Sequence, residues 1–178
     1  MVDPLDGTKE FIEGVPQFAV SIALVLRGEP VVGVVAHPPS GECFWGAQGL
    51  GAFAGEQPLG ISTTARLSDA VALVSRTEQR RGQLSRWSDW FRELRPVGSV
   101  ALKLAWIAAG RGDLWLSAAP KSEWDVCAGD LLVREAGGRL VCSASGPRVY
   151  NQRDVLLEPP MLAGPPALVD EFSARGRP

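Results

Sequence analysis

Histidine, cysteine and net charge are all scarce in this chain. Its three cysteines, Cys43, Cys127 and Cys142, are widely spaced and form no C-x-x-C metal or redox pair. An odd cysteine count without a secretory signal favours a reducing, cytoplasmic setting. The formal net charge is only −2, so there is no basic field and nucleic acid is not an expected partner. Apolar runs such as FAVSIALVL are far too short to span a membrane, and RGEP interrupts the next one. Internal repeats are absent, and the one biased tract is a Pro-rich tail, EPPMLAGPP.

What remains is a chain of 178 residues, 46% apolar, enough for one compact unit with a real core and room for two lobes. Phe18 to Leu26 reads as a largely buried strand, RGEP as a turn and VVGVVAHP as a second strand. Two further short strands separated by glycine turns follow in GECFWGAQGLGAFAGEQPLGIS, so this third of the chain predicts an antiparallel meander. Ala70 to Ser75 is another strand. TEQRRGQLSRWSDWFREL then spaces Leu84, Trp87, Trp90, Phe91 and Leu94 as one amphipathic helix would. SVALKLAWIAAG predicts a helix stopped at Gly110, and DLWLS a strand. SEWDVCAGDLLVREAGG predicts a helix with Asp125 near its N-cap and Gly137 past its end, feeding a strand in GRLVCS. The fold class is therefore α/β: an antiparallel sheet lobe over residues 1–65, then a smaller α/β lobe over 66–178.

The chemistry concentrates at the start, in MVDPLDGTKEFIEG. Hard divalent cations such as Mg²⁺ take oxygen ligands. A bend at Pro4 would let Asp3, Asp6 and the Leu5 carbonyl face one small volume. Gly7 permits close approach of backbone to a ligand, and the amides of Gly7 and Thr8 would open a pocket for a phosphate. The Thr8 hydroxyl could orient a water. The bland alternative is a surface turn, because Asp-Pro and Asp-Gly are common turn dipeptides.

VDPLDGTKEF resembles the first motif of the inositol monophosphatase superfamily of Mg²⁺-dependent phosphatases, and SEWDVCAGDLLVREAGG resembles its second. VGSVALKLAWIAAGRGDLWLS is similar to the segment that family carries between them, and the resemblance extends from Val2 to about Val141. It implies a layered sandwich of the sugar-phosphatase type. It also implies two or three Mg²⁺ ions held by Asp3, Asp6, the Leu5 carbonyl and Asp125, a phosphate held by Gly7 and Thr8, and catalysis by Thr8 and Asp6 through an activated water. Several cations a few ångströms apart suit such a reaction, which then needs no covalent intermediate. Haloacid dehalogenase-type phosphatases, with D-x-D-G-T, fit poorly: here the two aspartates are three residues apart and GDLLVRE lacks the later acid.

The family carries further chain ahead of the position of Met1, with two helices, an acidic metal ligand and a second acid that assists Thr8. No residue here takes those roles, so the expectation is an N-terminally truncated chain with weak metal binding, little turnover and one uncovered, sticky sheet face. A non-catalytic remnant of such an enzyme is the competing reading. Within the family, DGTKEF and LVSRTE resemble the 3′(2′),5′-bisphosphate nucleotidase branch, which would act on adenosine 3′,5′-bisphosphate; inositol-1-phosphate is the alternative substrate. Ser99 and Lys103 of GSVALK are candidate substrate contacts.

Other residues are given ordinary roles. His37, in a proline-flanked turn, is expected to be solvated. Arg76, Arg80, Arg81 and Arg86 form a solvated face that could also guide an anion. Trp87, Trp90 and Phe91 are read as core or as a subunit contact, which leaves a homodimer open. Asp130 and Glu135 are expected to be exposed.

Overall fold

The computed structural model describes residues 1–142 and 149–176. In chain order the elements are β1 Val2–Asp6, α1 Thr8–Ile12, β2 Ala19–Leu26, β3 Glu29–His37, β4 Glu42–Ala47, β5 Gly51–Ala54 and β6 Gln57–Pro58. Then come β7 Val71–Ser75, α2 Arg76–Arg80, β8 Glu93–Val97, α3 Val100–Ala108, β9 Leu114–Ser117, β10 Lys121–Ser122 and α4 Glu123–Glu135. The chain closes with β11 Arg139–Cys142, β12 Leu156–Leu157, β13 Met161–Gly164 and α5 Pro166–Arg175.

Strands β1 to β6 form a six-stranded antiparallel sheet in sequence order, as a meander must. A second, five-stranded sheet runs β11-β13-β9-β7-β8, with β7 parallel to both β8 and β9 and the rest antiparallel. Helices α3 and α4 lie between the two sheets. Their buried residues join Ala19, Val35 and Phe44 of the first sheet and Leu73, Trp115 and Met161 of the second in one core cluster. A β-carbon on Gly129 of α4 would stand 2.4 Å from the Leu104 β-carbon, so the absent side chain is what lets α3 and α4 pack this closely. Beyond the second sheet, α5 and a 3-10 segment, Ser85–Trp90, close a second cluster. The layered α/β sandwich predicted from the sequence is the observed fold.

The outer face of the first sheet exposes large apolar side chains. Val2, Ile22, Val34, Trp45, Phe53 and Pro58 pair in one row across all six strands. Ile22, Leu24, Leu26, Val32 and Trp45 are all exposed on it.

Several local expectations are corrected. The stretch 77–94 is not one helix. Gly82 adopts a left-handed φ of 67° after α2, a 3-10 segment follows, and Leu94 belongs to β8, drawn into parallel pairing with β7. The apolar spacing still reports burial: Trp87, Trp90 and Phe91 gather round Phe172. The Pro-rich tail is structured too, since it contains β13, a central strand of the second sheet, and leads into α5. Strand β11 matches the one expected in GRLVCS up to Cys142; Ser143 lies outside the described residues.

His37 is buried rather than solvated. Its side chain points inward from the end of β3, with Nδ1 2.7 Å from the Ser40 hydroxyl and Nε2 3.1 Å from the Pro16 carbonyl. Asp130 is also buried and accepts a 2.7 Å bond from the Tyr150 hydroxyl. The Glu135 carboxylate is half-buried and accepts the amides of Gly49 and Gly51, both at 2.9 Å, pinning the β4–β5 turn to α4. Arg80, Arg81 and Arg86 do face solvent, whereas Arg76 is drawn into ion pairs with Glu10 and Glu13. Among the described residues no helix is long and apolar enough to cross a membrane.

Candidate metal and phosphate site

Strand geometry alone would separate Asp3 from Asp6, because side chains three apart on a regular strand point to opposite faces. The β1–β2 register slips between them: Asp3 pairs with Ser21 and Asp6 with Ala19, so three steps on β1 match two on β2. That bulge brings both carboxylates to one side. Asp3 Oδ1 accepts the Leu5 amide at 3.0 Å, which tightens the bend at Pro4. Gly7 then turns the chain with φ 89°, and a β-carbon there would lie 2.9 Å from the Gln17 carbonyl oxygen, so only glycine fits. Helix α1 follows at once. Its first residue, Thr8, is exposed and donates its hydroxyl to the Leu5 carbonyl at 2.9 Å.

The third acid comes from α4. Asp125 sits in the first turn, where its Oδ2 accepts the Ser122 amide at 3.0 Å, so it caps the helix while facing β1. The Ser21 hydroxyl donates to the Trp124 carbonyl at 3.1 Å and ties this end of α4 to β2 opposite Asp3. One oxygen from each of Asp3, Asp6 and Asp125 lies within 4.8 Å of the others. The amino end of α3 completes the arrangement. The Ser99 hydroxyl and the Ala101 amide each donate to Asp6 Oδ2 at 2.6 Å.

Electrostatically the cluster is under tension. Burial raises the Asp6 carboxyl above its usual range, although the bonds from Ser99 and Ala101 and the charge of Lys103 pull the other way. Asp125 is pushed up to about 7, first by burial and then by the charges of Asp6 and Asp3. A divalent cation would relieve both. The donor set of three carboxylates is all hard oxygen and suits Mg²⁺.

A cavity of about 190 Å³ opens beside Asp6, lined also by Gly7, Thr77, Ser99, Lys103 and Lys121 among others. Both expected substrate contacts therefore reach its wall, but their polar atoms are already engaged. The Ser99 oxygen serves Asp6 and accepts the Leu102 amide at 3.0 Å. The buried Lys103 ammonium donates to the carbonyls of Val97, Gly98 and Ser99 at 3.0, 3.3 and 2.5 Å. Burial lowers it to about 8, opposed mainly by the Asp6 charge.

Glu78 was not singled out from sequence. It is buried and accepts the Ser117 hydroxyl at 2.9 Å, the Ala118 amide at 2.7 Å and the Lys121 ammonium at 2.8 Å, fixing the loop that leads into α4. Its local signal was S-R-T-E, a capping-box pattern; Ser75 does cap Glu78, but the Glu side chain turns to the loop instead.

The model of the inositol monophosphatase family matches residues 1–170. Similar proteins include a Nus factor SuhB of Pasteurella multocida, 36% identical over 97% of this chain, and an inositol-1-monophosphatase of Rhizobium meliloti, 40% identical over 78%. The chain spans 64% and 54%, respectively, of those relatives' own lengths. Among solved structures, an inositol monophosphatase from Anabaena superposes with a TM-score of 0.83 at 33% identity, over 97% of this chain and 72% of that one. Sequence motifs, fold and the gathered acids thus agree, and the chain belongs to the inositol monophosphatase family.

Proposed function

We propose that the chain carries the metal- and phosphate-binding machinery of a Mg²⁺-dependent phosphomonoester hydrolase acting in the cytoplasm on a small phosphorylated metabolite. The observation that carries this reading is the meeting of Asp3, Asp6 and Asp125 within 4.8 Å, from segments far apart in sequence. Asp3, Asp6, Asp125 and the Leu5 carbonyl would hold two or three Mg²⁺ ions, whose bound state supplies Lewis-acid polarisation of the phosphoryl oxygens and a more acidic water. The Gly7 and Thr8 amides orient the phosphate. Thr8, once its hydroxyl turns from the Leu5 carbonyl, positions the attacking water in line with the scissile bond. Asp6 is held rigid by Ser99 and Ala101 and so keeps its place as charge develops.

The supporting relatives named above include an inositol-1-monophosphatase and no bisphosphate nucleotidase. Inositol-1-phosphate therefore takes precedence over adenosine 3′,5′-bisphosphate, and the nucleotidase branch suggested by DGTKEF becomes the second substrate to try. Calorimetric titration with Mg²⁺, followed by phosphate-release assays on both esters, tests the reading. Binding with turnover that disappears in Asp6→Asn supports an enzyme, and binding without turnover supports a non-catalytic remnant. A chain that binds no Mg²⁺ even with phosphate present refutes both.

A further inference from the structure

The turn between β8 and α3 is built in a costly way. Ser99 adopts φ 52° and ψ 132°, a conformation that non-glycine residues rarely hold. Its neighbour Gly98 has no room for a side chain, since a β-carbon would stand 2.4 Å from Glu10 Cγ and 2.6 Å from the Gln17 carbonyl. Strain of this kind persists only where the surroundings over-determine it. What determines it from below is Lys103. One turn into α3, its side chain is 2% exposed and runs back under the turn, where the ammonium meets three successive carbonyls, Val97, Gly98 and Ser99. A cation surrounded by three carbonyl oxygens fixes the direction of three peptide planes together. Those planes decide where the Ser99 hydroxyl and the start of α3 point, and both end on Asp6 Oδ2 at 2.6 Å.

We propose that Lys103 is a positioning residue: by clamping the Val97–Ser99 carbonyls it sets the strained turn that grips one oxygen of Asp6. This rests on the metal-site reading above for its purpose, although not for its geometry. With its ammonium engaged by these three carbonyls, Lys103 acts through Ser99 and Ala101.

The test combines NMR with Mn²⁺ binding followed by electron paramagnetic resonance, on the full chain. In the wild type the Ala101 amide proton should resonate far downfield, as a short bond to a carboxylate requires. In Lys103→Met it should move back toward ordinary amide positions, and Mn²⁺ affinity should fall about tenfold, the lower end of the effect of removing a group that orients a metal ligand. Ser99→Ala should weaken Mn²⁺ similarly, and the double variant should fall no further than the worse single one, because both act on one element. A lysine that only filled space would lower the unfolding midpoint while leaving the Ala101 signal and Mn²⁺ affinity unchanged, and that result overturns the proposal. Should Lys103→Met fail to fold, the wild-type chain still decides: a slowly exchanging Lys103 ammonium resonance is required, and its absence refutes the clamp. A wild type that takes up no Mn²⁺ defeats the metal-site reading instead, while the Ala101 and ammonium signals still judge the clamp.

Discussion

Replacing Asp125 with Asn should stabilise the cation-free chain while loosening its hold on cations. In the folded protein the Asp125 carboxyl is pushed from 3.8 up to about 7, by burial first and by Asp6 and Asp3 after that. Each unit of difference is about 1.4 kcal/mol, so a dry site would make this gap worth ~4 kcal/mol; the site is partly open to water, and screening discounts it to about 2 kcal/mol. The sign follows from proton counting. Between the unfolded and folded values the folded chain holds a proton that the unfolded chain has released, so stability falls as pH rises through that window and stays low above it. Asn carries no charge, and its side-chain carbonyl can still accept the Ser122 amide.

At pH 8, in EDTA, the variant should therefore be about 2 kcal/mol more stable than wild type by urea unfolding, roughly 4–8 °C in melting temperature for a domain of this size. The advantage should shrink steadily toward pH 4. Excess Mg²⁺ should reverse the order, because ligand bound only by the native state adds stability and the variant has lost a donor. A variant equally or more destabilised at pH 8 than at pH 4 would show that the fold does not hold the Asp125 carboxyl above its usual range, and the argument for a cation site would lose its electrostatic basis.

Two further outcomes follow. Gly129→Ala forces a β-carbon to within 2.4 Å of the Leu104 β-carbon, so α3 and α4 must part, and urea unfolding should register a loss of about 1–3 kcal/mol or more. Thr8→Ala removes an exposed hydroxyl that donates to the Leu5 carbonyl, so Mg²⁺ titration should be little changed while phosphate release falls by about two orders of magnitude.

The acids that the structure gathers were legible as residue types: two aspartates around a proline and a distant Trp-Asp at a helix start. Their geometry was less so. Nothing in the order Asp3, Pro4, Leu5, Asp6 announces a bulge, yet without that register slip the two carboxylates would face opposite ways. Burial of polar groups was misjudged for a related reason. Beside the nearby Ser40 and Arg134, His37 and Asp130 draw on Pro16 and Tyr150, partners 21 and 20 residues away that no local pattern reveals. The tail deceived by composition. Met161–Gly164 is four buried residues covered on both faces, so it shows no alternation to set it apart from the prolines around it. In the 77–94 stretch the apolar positions correctly marked which side chains enter the core, but a core contact does not dictate a helix when a parallel neighbour competes for the backbone.

The same layering that hides these features explains why the acids can be assembled at all. Asp3 and Asp6 stand on β1, which ends the first sheet's strand order, while Asp125 and the donors to Asp6 stand at the amino ends of α4 and α3 in the layer beneath. Helix amino ends attract negative charge, so the middle layer directs two favourable dipoles toward the place where three carboxylates converge. That attraction does not offset the cost of burial, which, with the neighbouring charges behind it, keeps Asp6 and Asp125 both raised. Folding energy from the core between the sheets therefore holds together a group of charges that would separate if free. Such residual strain is common at sites where a ligand completes the electrostatics.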